Sequence, residues 1–208
     1  MLGAAACTDV DQANAASITR DDLVSAMAGQ LTAGSGISYT ATYQLVGGGT
    51  ATVTRGQRPS RTAYVYPGGR LIVTPASVTR CTGDATLTCT RTDPDPTAAT
   101  TLSGTNLVTP EAALAMLNTA ALDQDVEAES HDTTVAGRHA NCLDLAEVDG
   151  TPAREFSVCV TNEGALASFT AMIKGERADL AMTTYADKVT PAMFTLPATA
   201  KVTDRRTK

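Results

Sequence analysis

The strongest constraint on this chain is a hairpin that sets two cysteines face to face. Asp149-Gly150 is a strong turn signal, and Thr151-Pro152 continues it. A hairpin centred there puts Cys142 opposite Cys159, Leu143 opposite Val158, Leu145 opposite Phe156 and Asp144 opposite Ser157. The apolar residues then meet on one sheet face and the cysteines on the other, polar face. A slip of one residue would break both patterns, because side chains alternate between faces with period two. Directly opposed strand residues bring their Cβ atoms within disulfide range. The loop so closed should add about 3 kcal/mol in the chain-entropy account.

The same register extends to the neighbouring strands. Asn162-Glu163-Gly164 makes a tight turn that sets Val158 against Phe169. Across the following turn, Phe169 is expected to face Met182, and Ala171 to face Leu180. One face therefore gathers Leu143, Leu145, Phe156, Val158, Val160, Phe169, Leu180 and Met182, with alanines between them. Near the start, Ile37, Tyr39, Ala41, Tyr43 and Leu45 alternate with polar residues, the mark of a strand with one buried side. Gly47-Gly48-Gly49 reads as a hairpin turn; a phosphate loop would need a helix and a Lys-Ser/Thr pair after it. Strands are expected at 37–45, 50–55, 61–66, 70–74, 77–81, 86–90, 126–130, 135–147, 154–161, 165–173 and 177–185.

Two helices interrupt them. Thr19 caps the first, with Asp21 and Asp22 in its opening turn and a stripe of Leu23, Met27 and Leu31. The second starts at Thr109-Pro110-Glu111 and runs through Leu114 and Leu117 to about Leu122. Helices so placed cannot form a βαβ series. The expected fold class is α+β: a curved, mostly antiparallel sheet of about eleven strands, an open half-barrel covered by two main helices. Residues 93–108, opening with Asp93-Pro94-Asp95-Pro96, read as an irregular loop.

Cys81 and Cys89 flank Gly83-Asp84 and are expected to close a second strand–loop–strand unit. Zinc sites favour closer Cys spacings and four ligands together; neither pair has that spacing, and His131 and His139 lie elsewhere. Two disulfides imply an oxidising compartment outside the cytosol. The fifth cysteine, Cys7, ends the run Leu2-Gly3-Ala4-Ala5-Ala6. That run resembles the lipobox of bacterial lipoprotein signal peptides, in which the Cys thiol receives a diacylglycerol and becomes the new N-terminus. Residues 1–18 are therefore expected to be a signal remnant, lipobox and flexible tether, and 19–208 a single β-rich domain. The alternative is a chance Ala-rich start with a free thiol.

Composition narrows the function. Acidic residues number 22 against 16 basic ones, and the net charge is −6. With no basic run except Arg205-Arg206-Thr207-Lys208, read as a frayed solvated end, nucleic-acid binding is not expected. Aromatics are 4% of residues and Trp is absent, which argues against stacking platforms. The pairs Asp9/Asp11, Asp21/Asp22 and Asp93/Asp95 read as tether, helix start and Pro-fixed turn, and no metal or cofactor is expected. No constellation for acid–base or covalent catalysis stands out, so an enzyme is not expected.

The order of elements, the stretch Val135-Ala136-Gly137-Arg138 leading into Asn141-Cys142, the strand Val158-Cys159-Val160 with its Asn162-Glu163-Gly164 turn, and Phe194-Thr195-Leu196-Pro197 together resemble the LolA/LolB-like lipoprotein-carrier superfamily. The resemblance is closest to the actinobacterial LppX/LprG-type cell-envelope lipoproteins. It implies an apolar concavity able to hold acyl chains, and an exported, membrane-anchored protein that carries a lipid or other hydrophobic ligand. The residues expected to line the concavity are Tyr39, Tyr43, Leu143, Leu145, Phe156, Val158, Phe169, Leu180 and Met182. The other expectation is a structural or protein-interaction lipoprotein whose core is filled.

Overall fold

Thr19 opens the chain's first helix by accepting from the Asp22 amide, while Asp22 accepts from the Thr19 amide, a reciprocal box that satisfies two otherwise unpaired donors. In the computed structural model, which describes residues 19–83, 86–100, 102 and 105–207, helix α1 (Arg20–Ala33) buries Val24, Met27, Ala28 and Leu31. Helix α2 (Pro110–Ala120) starts at a Thr109 cap with proline in its first turn, and buries Ala113, Met116, Leu117 and Ala120. Leu122 lies beyond its end and is 86% exposed. No helix among the described residues is long and apolar enough to cross a membrane.

The strands are β1 (Tyr39–Leu45), β2 (Thr50–Gln57), β3 (Ser60–Tyr66), β4 (Gly69–Thr74), β5 (Ser77–Thr82), β6 (Thr88–Thr92), β7 (Glu127–Val135), β8 (Arg138–Ala146), β9 (Phe156–Thr161), β10 (Leu166–Ile173), β11 (Glu176–Ala186) and β12 (Lys201–Asp204). They form one sheet of 12 strands in the order β12-β6-β5-β4-β3-β2-β1-β11-β10-β9-β8-β7. Every pairing is antiparallel except β12 with β6. Two hairpin series, β1 to β6 and β7 to β11, are joined at the seam where β1 meets β11. The α+β class, the open antiparallel sheet and the two helices are as expected from sequence; the twelfth strand is an addition.

The Cys142–Cys159 hairpin has the expected register, with Leu143 opposite Val158, Asp144 opposite Ser157 and Leu145 opposite Phe156. Cys81 faces Cys89 across β5 and β6, and both pairs are disulfide-bonded. Three local expectations need correction. Phe169 faces Leu180, and Ala171 faces Ala178, because Lys174 and Gly175 (φ 53° and 85°) make a two-residue turn tighter than expected. Met182 instead faces Tyr43 across the seam. Residues 131–134 belong to β7, which turns into β8 through Ala136 and Gly137 (φ 50° and 73°), a tight turn made without the usual Asn or Asp. The C-terminal tail is pinned: Arg206 pairs with Asp204, and the Thr207 hydroxyl donates to Asp93 at 2.7 Å. Lys208 lies outside the described residues.

β12 is parallel because the chain reaches it by a long crossover. After β11 it straps the polar face of the first hairpin series. Arg61 sits 4.1 Å over the Phe194 ring, and Arg70 donates to the Thr195 carbonyl. Above the apolar face, α1 and α2 pack together and share one core with residues of both hairpin series. Among the described residues between 95 and 109, Ala98, Ala99, Leu102, Leu107 and Val108 join that core and cover it alongside the helices.

α1 docks on the β9–β10 turn through a glycine-to-glycine contact. The Gln30 amide donates to the Thr161 carbonyl at 2.8 Å and accepts from Asn141. A Cβ on Gly34 would lie 1.8 Å from the Gly164 carbonyl oxygen; one on Gly164, whose φ is +89°, would lie 2.5 Å from the Gly34 amide nitrogen. Backbone cannot yield there as a flexible side chain can. Gly34→Ala should therefore lower unfolding stability by about 1–3 kcal/mol, read from urea denaturation, while Gly36→Ala, with open space around it, should stay close to wild type.

Candidate functional site

The nine residues expected to line a concavity do share the helix-covered face, and they are packed. Tyr39, Tyr43, Leu143, Leu145, Phe156, Val158, Phe169, Leu180 and Met182 are each no more than 3% exposed. The Phe156 and Phe169 rings stack at 5.7 Å, and the Tyr43 hydroxyl donates to the Leu166 carbonyl at 2.8 Å. α1, α2 and the described residues between 95 and 109 share one core with them.

Open volume on the apolar side lies at one end of this core. A cleft of about 600 Å³ runs between α2 (Ala112, Ala115, Met116, Thr119), the preceding stretch (Ala99, Leu102, Leu107, Val108), the β10–β11 turn (Ile173, Lys174, Ala178) and Gly150 to Pro152. Apolar side chains line most of it, and Thr105, Asn106, Lys174, Glu176 and Arg177 supply polar groups. That size and lining suit a small ligand with an apolar body and a polar end. None of the nine expected residues touches this cleft. A second groove of about 860 Å³ lies across the ends of β7 to β11. By register, Glu127, Glu129, Asp144, Ser157, Thr170, Met172 and Arg177 present the polar sheet face to it.

The covered face also holds a charge that the sequence reading missed. Arg55 alternates with Val53 and Ala51 along β2, so it points into the covered side, opposite Tyr39. Its guanidinium pairs with Glu111 in the first turn of α2, and Tyr64 donates to the other Glu111 oxygen. Burial works against the Arg55 charge, but Glu111, Tyr39 and Tyr64 together outweigh it and raise its pKa. The side chains are only 12% (Arg55) and 26% (Glu111) exposed. This cluster ties the start of α2 to the first hairpin series and holds the wall of the cleft in place. The missed signal was the period-two alternation that puts Arg55 in line with Val53.

Glu111→Gln would leave the Arg55 charge buried without its partner. Stability should fall by about 3–5 kcal/mol, measured by chemical denaturation. The tyrosines set a separate limit. Burial is the main cause that pushes Tyr39 up to about 12 and also raises Tyr43 and Tyr64. Each ionises less readily folded than unfolded, so their contribution is intact below the ordinary value of 10.0 and is lost as pH rises towards 12. Denaturation midpoints should fall steeply above pH 10, with tyrosinate absorbance rising together with unfolding.

Cys7 and the rest of residues 1–18 lie outside the described residues. His139 is exposed on β8. The two cross-strand disulfides fit an oxidising, non-cytosolic environment.

No protein-family model matches the chain, and no curated protein matches it in sequence. Among solved structures, it is similar to an uncharacterised conserved protein from Thermus thermophilus, with a TM-score of 0.55 and 13% identity over 88% of this chain and 99% of that one. It also aligns with a DUF1329 family protein from Desulfovibrio piger at 11% identity, over 83% of this chain and 97% of that one, but the TM-score of 0.32 is too low to carry an argument. The Thermus protein shares the fold; at that identity the likeness extends to nothing else.

Proposed function

We propose that this chain is a non-enzymatic, exported cell-envelope protein that binds a lipid or other hydrophobic ligand, and that a lipid on Cys7 anchors it to the membrane. The cleft of about 600 Å³ beside α2 is the observation that carries this reading. An acyl chain would lie along Leu102, Leu107, Val108 and Met116, with its polar end towards Lys174. Burial of apolar area, at roughly 25 cal/mol per Å², supplies the binding energy, and no bond needs to be made or broken. The sequence resemblance to LolA/LolB-like carriers points the same way.

A second reading, a structural or protein-interaction lipoprotein with a filled core, is favoured by the close packing of the nine residues around Phe156 and Phe169. On the first reading those residues form the floor behind the binding site, and ligand occupies the cleft at their edge.

The two readings separate in one experiment. Purified protein titrated with a fluorescent fatty acid should bind it, and Ala115→Trp, at an exposed α2 position facing the cleft, should weaken binding by about tenfold or more without changing the denaturation midpoint. An affinity unmoved by Ala115→Trp, or no binding by wild type, would leave only the filled-core reading.

A further inference from the structure

The polar face of the sheet carries a row of chemistry that the hydrophobic-ligand reading does not use. Register sets His131 directly opposite Cys142, and Cys142 directly opposite Cys159, on the adjacent strands β7, β8 and β9. All three therefore project from the same face, and a ligand atom of each lies within 4.8 Å of the others. Asp144, two residues along β8 and on the same side, places a carboxylate oxygen 3.3 Å from His131 Nδ1. Two sulfurs, an imidazole and a carboxylate form a four-donor set of the kind that a borderline-soft divalent cation takes up in tetrahedral geometry.

In the oxidised protein the sulfurs are committed to each other. We propose that reduction of the Cys142–Cys159 bond converts this row into a binding site for one zinc-class divalent cation, held by both thiolates and His131, with Asp144 as fourth ligand or as the group that orients the imidazole. The electrons come from a dithiol reductant. Two electrons and two protons open the bond while the reductant closes its own disulfide. The cation then displaces the two thiol protons. Ladder hydrogen bonds between β8 and β9 hold the two cysteine backbones in place, so opening the bond frees the side chains to turn towards the metal without separating the strands. His131 and Asp144 are each about half exposed, which leaves the site open to a cation from solvent.

The other disulfide makes a natural control. Cys81 and Cys89 have the same cross-strand arrangement, but the residue opposite Cys81 on β4 is Arg70, a cation, and no imidazole or carboxylate cluster accompanies them among the described residues. Reduction there yields two thiols without further ligands.

The test is Co²⁺ titration of the full chain carrying Cys7→Ser, before and after treatment with a phosphine reductant, followed by Zn²⁺ competition. The reduced protein should develop thiolate-to-cobalt charge-transfer absorption that saturates at about one equivalent and is abolished by Zn²⁺; the oxidised protein should not. His131→Ala, at an exposed position, should weaken cobalt affinity by about tenfold or more, while Cys81→Ser/Cys89→Ser should keep the band. Amide exchange on the reduced chain reports whether β8 and β9 remain paired. No band on reduction, a band indifferent to His131→Ala, or strands that melt when the bond opens would each overturn the proposal.

Discussion

The pairing of β8 with β9 sets the sides of this molecule. Leu143, Leu145, Phe156 and Val158 reach the helices only if Cys142 and Cys159 point the other way, and a covalent bond between those cysteines prevents the one-residue slip that would reverse every side chain in the hairpin. β10 then copies the same sidedness from β9, and β11 from β10. At the β1–β11 seam it passes to the first hairpin series, where Tyr43 meets Met182 on the apolar side. One fixed hairpin thus orients a face that runs across many strands.

Over that face the covering elements are held by different means at their two ends. α1 rests on backbone, through Gly34 against Gly164 and Gln30 against the Thr161 carbonyl, contacts with little tolerance for added volume. α2 is fixed at its start by Glu111 with Arg55 and Tyr64, and its face towards the β10–β11 turn borders open space. Tight docking on one side and a polar tether on the other explain why the large side chains are fully packed while a cleft persists beside α2.

How much of this could be read in advance follows from distance along the chain. The Cys142–Cys159 register was legible because the Asp149-Gly150 turn and two alternating runs all lie within one hairpin. The partners of Phe169 and Ala171 were misplaced by two residues because Lys174, rather than Asn or Asp, takes the positive-φ turn position. The β7–β8 hairpin was obscured for the same reason at Ala136. Nothing local announces that Lys201–Asp204 will lie parallel to β6, that Glu111 will reach Arg55, or that the stretch after Pro96 will be drawn into the core by Leu102, Leu107 and Val108. Each of those depends on a partner remote in sequence. The cleft is bounded mainly by such remote pairings, so the expected lining marked the core floor, and the walls emerged only from the assembled fold.

The placement of β12 bears on when the sheet can be finished. The first hairpin series has both of its flanks completed late: one by β11 at the seam, the other by the last described strand, which crosses back to reach β6. Until translation has passed residue 186 the six early strands are left with two raw borders, and the one beside β6 stays open until residue 204. Such an architecture postpones the finished sheet until β12 has been made, so the early strands must tolerate an unpaired border until then.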